Sequence, residues 1–287
     1  MTPEQIADER RRGRRAAALA VAAAALFVAS GLWARVLSDD APERNGPASL
    51  RFLDRHSDAL IGSSVLRGLA LLLLLGVTLH LWRATKARRA DEPQVVLVMG
   101  LYGPIAAGIG TIVVGIALAA AASSFTAREF QTIDAADDAV TAVRFIGLLA
   151  FSGSLALAFW FIKGCLDAMR IGLLGRFMGV AGITMGPGLA LPFLAGLFQY
   201  LLPVWLIAVA ALFAGRAIGG LPPAWEAGEA VTPPSASERF GEVLEDGLRT
   251  TPNGEVEAVG PNVRPAELGD GPGAAPRRRK RKRRGAG

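Results

Sequence analysis

The sequence predicts an all-α, polytopic transmembrane helical bundle of about six spans followed by a disordered cytoplasmic tail, and three observations carry that reading. Of its 287 residues, 52% are hydrophobic and 20% charged, with a mean hydropathy of +0.37; soluble domains carry about 25% charged residues. The apolar residues gather into stretches of the roughly 20-residue length that a helix needs to cross a bilayer's hydrocarbon core, and most charges lie between or beyond them. The net charge of +6 belongs to one end, because subtracting the eight cations from Arg277 to Arg284 leaves −2. This distribution argues against an ordinary soluble enzyme.

The chain opens on a basic cytoplasmic segment, residues 1–15, with Arg10, Arg11, Arg12, Arg14 and Arg15. The first span is expected over residues 16–37. Its basic front, alanine-rich core and Val28-Ala29-Ser30 stretch have the look of a signal peptide. The apolar run continues through Leu32, Trp33, Val36 and Leu37, past the roughly 7 to 15 residues of a signal peptide's core, so an uncleaved anchor is expected. Further spans are expected over 61–82, 95–121, 140–162, 171–190 and 193–214. The last two are one apolar run interrupted by Gly186-Pro187-Gly188 and Pro192, where an antiparallel helical hairpin would reverse; five or four crossings are the alternatives.

Short loops rich in Lys and Arg are retained in the cytoplasm. Arg83, Lys86, Arg88 and Arg89 follow the second span and Lys163, Arg170 and Arg176 follow the fourth, whereas loops 38–60 and 122–139 carry more acids than bases. A six-span domain over residues 16–214 is therefore expected in the plasma membrane, with both ends cytoplasmic. In the first outer loop, Arg51/Asp54 and Arg55/Asp58 have the i,i+3 spacing of ion pairs on a short solvated helix. On such a helix His56 faces away from Asp54 and Asp58, which rules out a convergent metal trio.

Residues 215–287 are rich in Pro, Gly, Glu and Ala, a composition that buries too little apolar surface to offset the entropy of ordering. One island interrupts this tail. Ser235-Ala-Ser-Glu238 has capping-box spacing, and Phe240, Val243, Leu244 and Leu248 recur at helical intervals, predicting a short amphipathic helix.

The chemistry-bearing residues are few. One cysteine, Cys165, excludes an intrachain disulfide, and two histidines, His56 and His80, cannot build a multi-histidine metal site. No catalytic, cofactor-binding or metal residues are assigned. The interior of the expected spans holds no Asp or Glu, which weighs against proton- or cation-coupled transport and intramembrane aspartyl proteolysis. Ser152, in Ala150-Phe-Ser152-Gly153, approximates a membrane serine-protease motif. His80 is offset from it by roughly 12 to 15 Å along the membrane normal at 1.5 Å per residue, too far for proton transfer.

Four polar membrane residues remain as candidates. Arg67 and Arg144 enter their spans from the outer end within snorkelling reach, and are expected to pair with Asp58, Asp137 or Asp138, with an anion-recognising pair as the alternative. Arg176, beside Lys163 and Arg170, is placed to meet lipid headgroups. Gln199, the most central strong hydrogen-bonding side chain, is expected to hold helices together. Small residues four apart mark close-packing helix faces; Gly103, Ala107, Thr111, Gly115 and Ala119 form one such stripe, and Gly175, Gly179, Gly182 and Gly186 mark another. In the tail, Arg277, Arg278, Arg279, Lys280, Arg281, Lys282, Arg283 and Arg284 are expected to engage anionic lipids, at about 1 kcal/mol per charge near a surface, or a protein partner. The run lacks the aromatic interleaving of base stacking, which argues against nucleic acid.

Asp167-Ala-Met-Arg170-Ile-Gly-Leu-Leu-Gly-Arg176-Phe-Met-Gly179, Leu81-Trp-Arg83-Ala-Thr-Lys86-Ala-Arg88 and Pro222-Pro-Ala-Trp225-Glu226-Ala-Gly228-Glu229 give the chain a further property. In these segments it resembles a group of uncharacterised multi-pass membrane proteins of high-GC, actinobacterial genomes, over residues 16 to about 230. The resemblance implies a multi-pass architecture and a plasma-membrane location, and carries over no catalytic or binding residue. The expected function is that of a non-enzymatic scaffold or envelope-associated component. The alternative is a small-solute or lipid transporter with its path near Arg67, Arg144, Gln199 and the glycine-rich third and fifth spans.

Overall fold

The computed structural model describes residues 3–35, 37, 42, 46–89, 91, 93–191, 195–217, 220–231, 248–250 and 256–258. Its helices are α1 (Pro3–Arg35), α2 (Pro47–Arg55), α3 (Ser57–Arg88), α4 (Gln94–Thr126), α5 (Ile133–Arg170), α6 (Arg176–Ala190), α7 (Ala195–Phe213) and the short α8 (Pro223–Ala227). Four helices, Glu4–Arg35, Ser57–Arg88, Gln94–Thr126 and Ile133–Arg170, are long and apolar enough to cross a membrane. At 1.5 Å per residue they run for about 48 to 57 Å, longer than the roughly 30 Å hydrocarbon core, so their polar ends project beyond it.

Local chemistry sets the boundaries. The Thr132 side chain caps α5 by accepting from Ala135 N at 3.2 Å. At the other end Gly172 takes a left-handed φ of 74°, Leu173 N donates to Ala168 O at 2.8 Å and Gly172 N donates to Met169 O at 3.2 Å. This paired bonding is the glycine-terminated end of a helix. It turns the chain at residues 171–175, so α6 begins at Arg176, five residues later than the span expected from hydropathy. The helix α6 is 15 residues long and α7 is 19, about 22 and 28 Å.

The helices α1, α3, α4, α5, α6 and α7 each pack on the next, and α7 packs back on α1, closing a ring. The small-residue faces make these seams. A Cβ added to Gly100 would meet Trp160 Cδ1 at 2.7 Å, one on Gly103 would meet Leu157 N at 2.7 Å, one on Gly153 would meet Ala107 N at 2.1 Å, and one on Gly110 would meet Ala150 N at 2.6 Å. These contacts keep one antiparallel register of α4 against α5. Gly115 turns to the other neighbour, where its Cβ would meet Ser64 Oγ of α3 at 2.2 Å. Gly179, Gly182 and Gly186 of α6 face Met169, Cys165 and Ile162 of α5 in the same antiparallel sense. Where lipid tails are as apolar as the side chains, such backbone approach supplies the packing that holds helices together. Large apolar side chains such as Phe145, Phe177 and Val204 point outward, at 70, 84 and 64% exposure.

Three sequence expectations are revised. The compact unit runs over Met1–Pro233, past the boundary expected at 214/215, because residues 221–231 bond back to the bundle. The ion pairs expected from Arg51/Asp54 and Arg55/Asp58 do not form among the described residues: Arg51 Nε donates to Pro47 O, and Asp54 accepts from Thr126 Oγ1 at 2.8 Å. Leu248, expected on an amphipathic helix, lies in a strand. The second unit, Pro234–Gly287, contains the strand pair β1 (Leu248–Thr250) and β2 (Val256–Ala258), antiparallel with Leu248 opposite Ala258. Ser235, Glu238, Phe240, Val243 and Leu244 lie outside the described residues, as does the basic run from Arg277 to Arg284.

Candidate functional site

Two groupings of polar side chains among the described residues of the helical unit involve elements distant in sequence. The first is the end formed by the start of α1 and the ends of α3, α5 and α7. Here Arg88, whose side chain has no solvent exposure, bonds Glu9 twice, Nη1 to Oε1 at 2.7 Å and Nη2 to Oε2 at 2.9 Å. Arg88 Nε also donates to Ala224 O at 3.0 Å, and its guanidinium lies 5.3 Å from the Trp225 ring centre. Trp225 Nε1 donates to Leu173 O at 2.8 Å, and its ring stacks on His80 at 5.8 Å and meets Phe213 edge-on at 6.0 Å. Val231 N donates to Ile171 O at 3.2 Å. Residues 221–231 thereby close this end of the ring.

Beside this cap lies Asp167, fully buried, with Lys163 in direct contact, Arg89 at 3.5 Å and Arg170 at 3.9 Å. A buried carboxylate requires such neighbours, since an unpaired charge in a low-dielectric site is costly. Asp91, in the loop after α3, is fully exposed, and the hydrogen bond from Arg89 holds its carboxyl below the usual carboxylate value. Glu9, Asp167 and Trp225 are not among the candidates that the sequence singles out. The available signals were a lone tryptophan after a Pro-Pro pair in a polar tail, and the i,i+4 and i,i+3 spacing of Lys163, Asp167 and Arg170.

The second place is a cavity of about 220 Å³ inside the ring, to which every ring helix contributes: Phe27 from α1, Arg67 from α3, Thr111 from α4, Ser154 from α5, Gly188 from α6 and Leu202 from α7. Arg67 is the charged residue of its lining. Arg144 is elsewhere: exposed, paired with Asp137 at 3.0 Å, and bordering a separate cavity of about 470 Å³ beside α2. The two arginines therefore do not share a site. Arg176 is exposed at the first residue of α6, on the same end of the bundle as Arg170. Gln199 falls in the part of α7 whose side chains lie outside the described residues.

Ser152 Oγ donates to Leu149 O at 2.9 Å and lies 2.8 Å from the Tyr102 hydroxyl, while His80 belongs to the capped end. Among the described residues no group of three or more His, Cys, Asp or Glu is placed to hold a metal ion. No protein-family model matches the chain, and no curated protein and no solved structure matches it.

Proposed function

We propose that the chain is a six-span plasma-membrane protein with its N-terminal segment and C-terminal tail in the cytoplasm, acting without catalysis as a scaffold or envelope-associated component. On this reading the helix ring anchors the tail, and Arg277 to Arg284 engage anionic lipid or a protein partner. The observation that carries it is the cap made by Arg88, Glu9 and Trp225. Buried ion pairs add little net stability over apolar packing; what this one supplies is position, tying the chain leaving the bundle to the start of α1.

Two further features support six crossings. Gly188, near the end of α6, lines the same cavity as Ser64, which is three residues past the expected outer edge of the second span, about 4.5 Å along a helix. On this reading the connection between α6 and α7 is on the outer side. The basic loops of α3 to α4 and α5 to α6 fall on the opposite side with the cap, as retention of cationic loops requires.

Native mass spectra of gently purified protein test the proposal, comparing the full chain with one ending at Pro233, which keeps the cap. A stoichiometric lipid or protein mass held by the full chain and lost from the shortened one is expected. Identical spectra contradict the tail's role. The cavity common to all six helices favours the second reading, small-solute transport; a small molecule held equally by both chains, and lost on Arg67→Ala, supports it.

A further inference from the structure

We propose that the cavity enclosed by the six ring helices is a binding site for a small oxyanion, held by the Arg67 guanidinium. The inference goes beyond the scaffold reading and does not require that the anion cross the membrane.

Arg67 stands ten residues into α3, about 15 Å from the helix start at 1.5 Å per residue. Leu69, two residues on, is 41% exposed, while Arg67 and Leu71 line the cavity. The guanidinium is thus turned into the ring and away from the lipid face. Among the described residues no carboxylate lines the cavity, and Arg67 makes no hydrogen bond or ion pair. The same chain pairs Arg88 with Glu9 and Arg144 with Asp137. Arginine cannot shed its proton in a protein, and an uncompensated charge at membrane depth is expensive. A negative partner from outside the chain resolves that imbalance.

The surroundings specify what kind of partner. The planar fork of guanidinium donors matches a carboxylate or phosphate oxygen pair. The hydroxyls of Thr111 and Ser154 donate to Ala107 O at 2.7 Å and Ala150 O at 2.9 Å of their own helices. Ser64, also in the lining, sits against Gly115 of α4 and donates to no acceptor among the described residues. A volume of about 220 Å³ is below the roughly 300 to 1,000 Å³ of drug-sized sites, and Phe27, Leu71 and Leu202 supply apolar walls. The fit is to an ion of a few heavy atoms, either free or as the charged group of a lipid.

The buried Cys165 reports unfolding through a thiol-reactive fluorophore. Full-length protein in a neutral maltoside is titrated with sodium phosphate and with sodium acetate, against sodium chloride at equal ionic strength. A second arm adds phosphatidylglycerol against phosphatidylcholine. A saturable rise in the unfolding temperature is expected, with its half-saturating concentration raised at least tenfold by Arg67→Gln and unchanged by Arg144→Gln. A response to phosphate or acetate identifies a free anion; a response to phosphatidylglycerol alone identifies a headgroup. No saturable response in any arm, or an unaltered response in Arg67→Gln, overturns the proposal. Should Arg67→Gln fail to fold, Ser154→Leu narrows the cavity while keeping the guanidinium, and the same loss of response is expected.

Discussion

Arg88 at the end of α3 and Glu9 near the start of α1 are 79 residues apart in sequence and form a two-pronged ion pair at 2.7 and 2.9 Å. The Arg88 side chain is fully buried, so its charge depends on Glu9 and on the carbonyls of Ala84 and Ala224. Breaking such a pair from one side leaves a buried charge, at about 3 to 5 kcal/mol. Glu9→Gln is expected to lower the unfolding free energy by that order. Arg88→Met in the same chain is expected to restore part of the loss. A double-mutant cycle showing simple additivity would remove the pair from the cap's energetics.

Trp225 joins that cap by a hydrogen bond to Leu173 O and ring contacts with His80, Phe213 and Arg88. Trp225→Ala removes all of these, at a cost of about 3 kcal/mol. The segment 221–231 is then expected to become cleavable by protease while α1 to α7 stay intact. Equal cleavage rates in both proteins would mean that the ring does not hold the segment through Trp225.

Two glycines of α5 make opposite predictions. A Cβ on Gly153 would stand 2.1 Å from Ala107 N, whereas one on Gly147 meets nothing within 4 Å. Gly153→Ala must push α4 and α5 apart and is expected to destabilise by about 1 to 3 kcal/mol. Gly147→Ala is expected to be neutral or stabilising by up to about 1 kcal/mol, from helix propensity. Thermal unfolding of the two proteins reads the difference directly.

The acids around Arg89 also separate. Asp167 is fully buried among Lys163, Arg89 and Arg170, so Asp167→Ala is expected to cost about 3 to 5 kcal/mol. Asp91 is fully exposed, and Asp91→Asn is expected to leave the unfolding temperature nearly unchanged. Its folded-state value lies below the ordinary 3.8, so its contribution is present above that value and lost as pH falls through the lower one. Between pH 5 and 8 that contribution is constant, so Asp91→Asn is expected to leave the shape of the stability profile in this window unchanged.

Much of this fold was legible in the sequence, and the parts that were not share a cause. Hydropathy marked the apolar runs of α1, α3, α4 and α5, and the spacing of Gly103, Ala107, Gly179, Gly182 and Gly186 marked the packing seams. Helices nevertheless overran the apolar windows, because a polar end outside lipid remains helical when capped, as Thr132 caps α5. Conversely, Gly172 cut the fifth window short through a backbone conformation that hydropathy does not register. The cap escaped because Glu9, Arg88 and Trp225 come from three distant segments, and nothing local in any of them indicates the others. Arg67 was recognised as a candidate; that it faces the cavity and not an acidic loop depends on which side of α3 the ring encloses.

The central claim is that the chain crosses the membrane six times with its cap on the cytoplasmic side. In a Cys165→Ala background, single cysteines are placed at Ser124 near the end of α4, at Leu191 after α6 and at Glu229 beside the cap, all three exposed. They are reacted with a membrane-impermeant maleimide on intact cells and again after permeabilisation. Ser124→Cys and Leu191→Cys are expected to label on intact cells, and Glu229→Cys only after permeabilisation. Leu191→Cys labelling with Glu229→Cys, and only after permeabilisation, would contradict the claim and leave α6 and α7 short of the outer face.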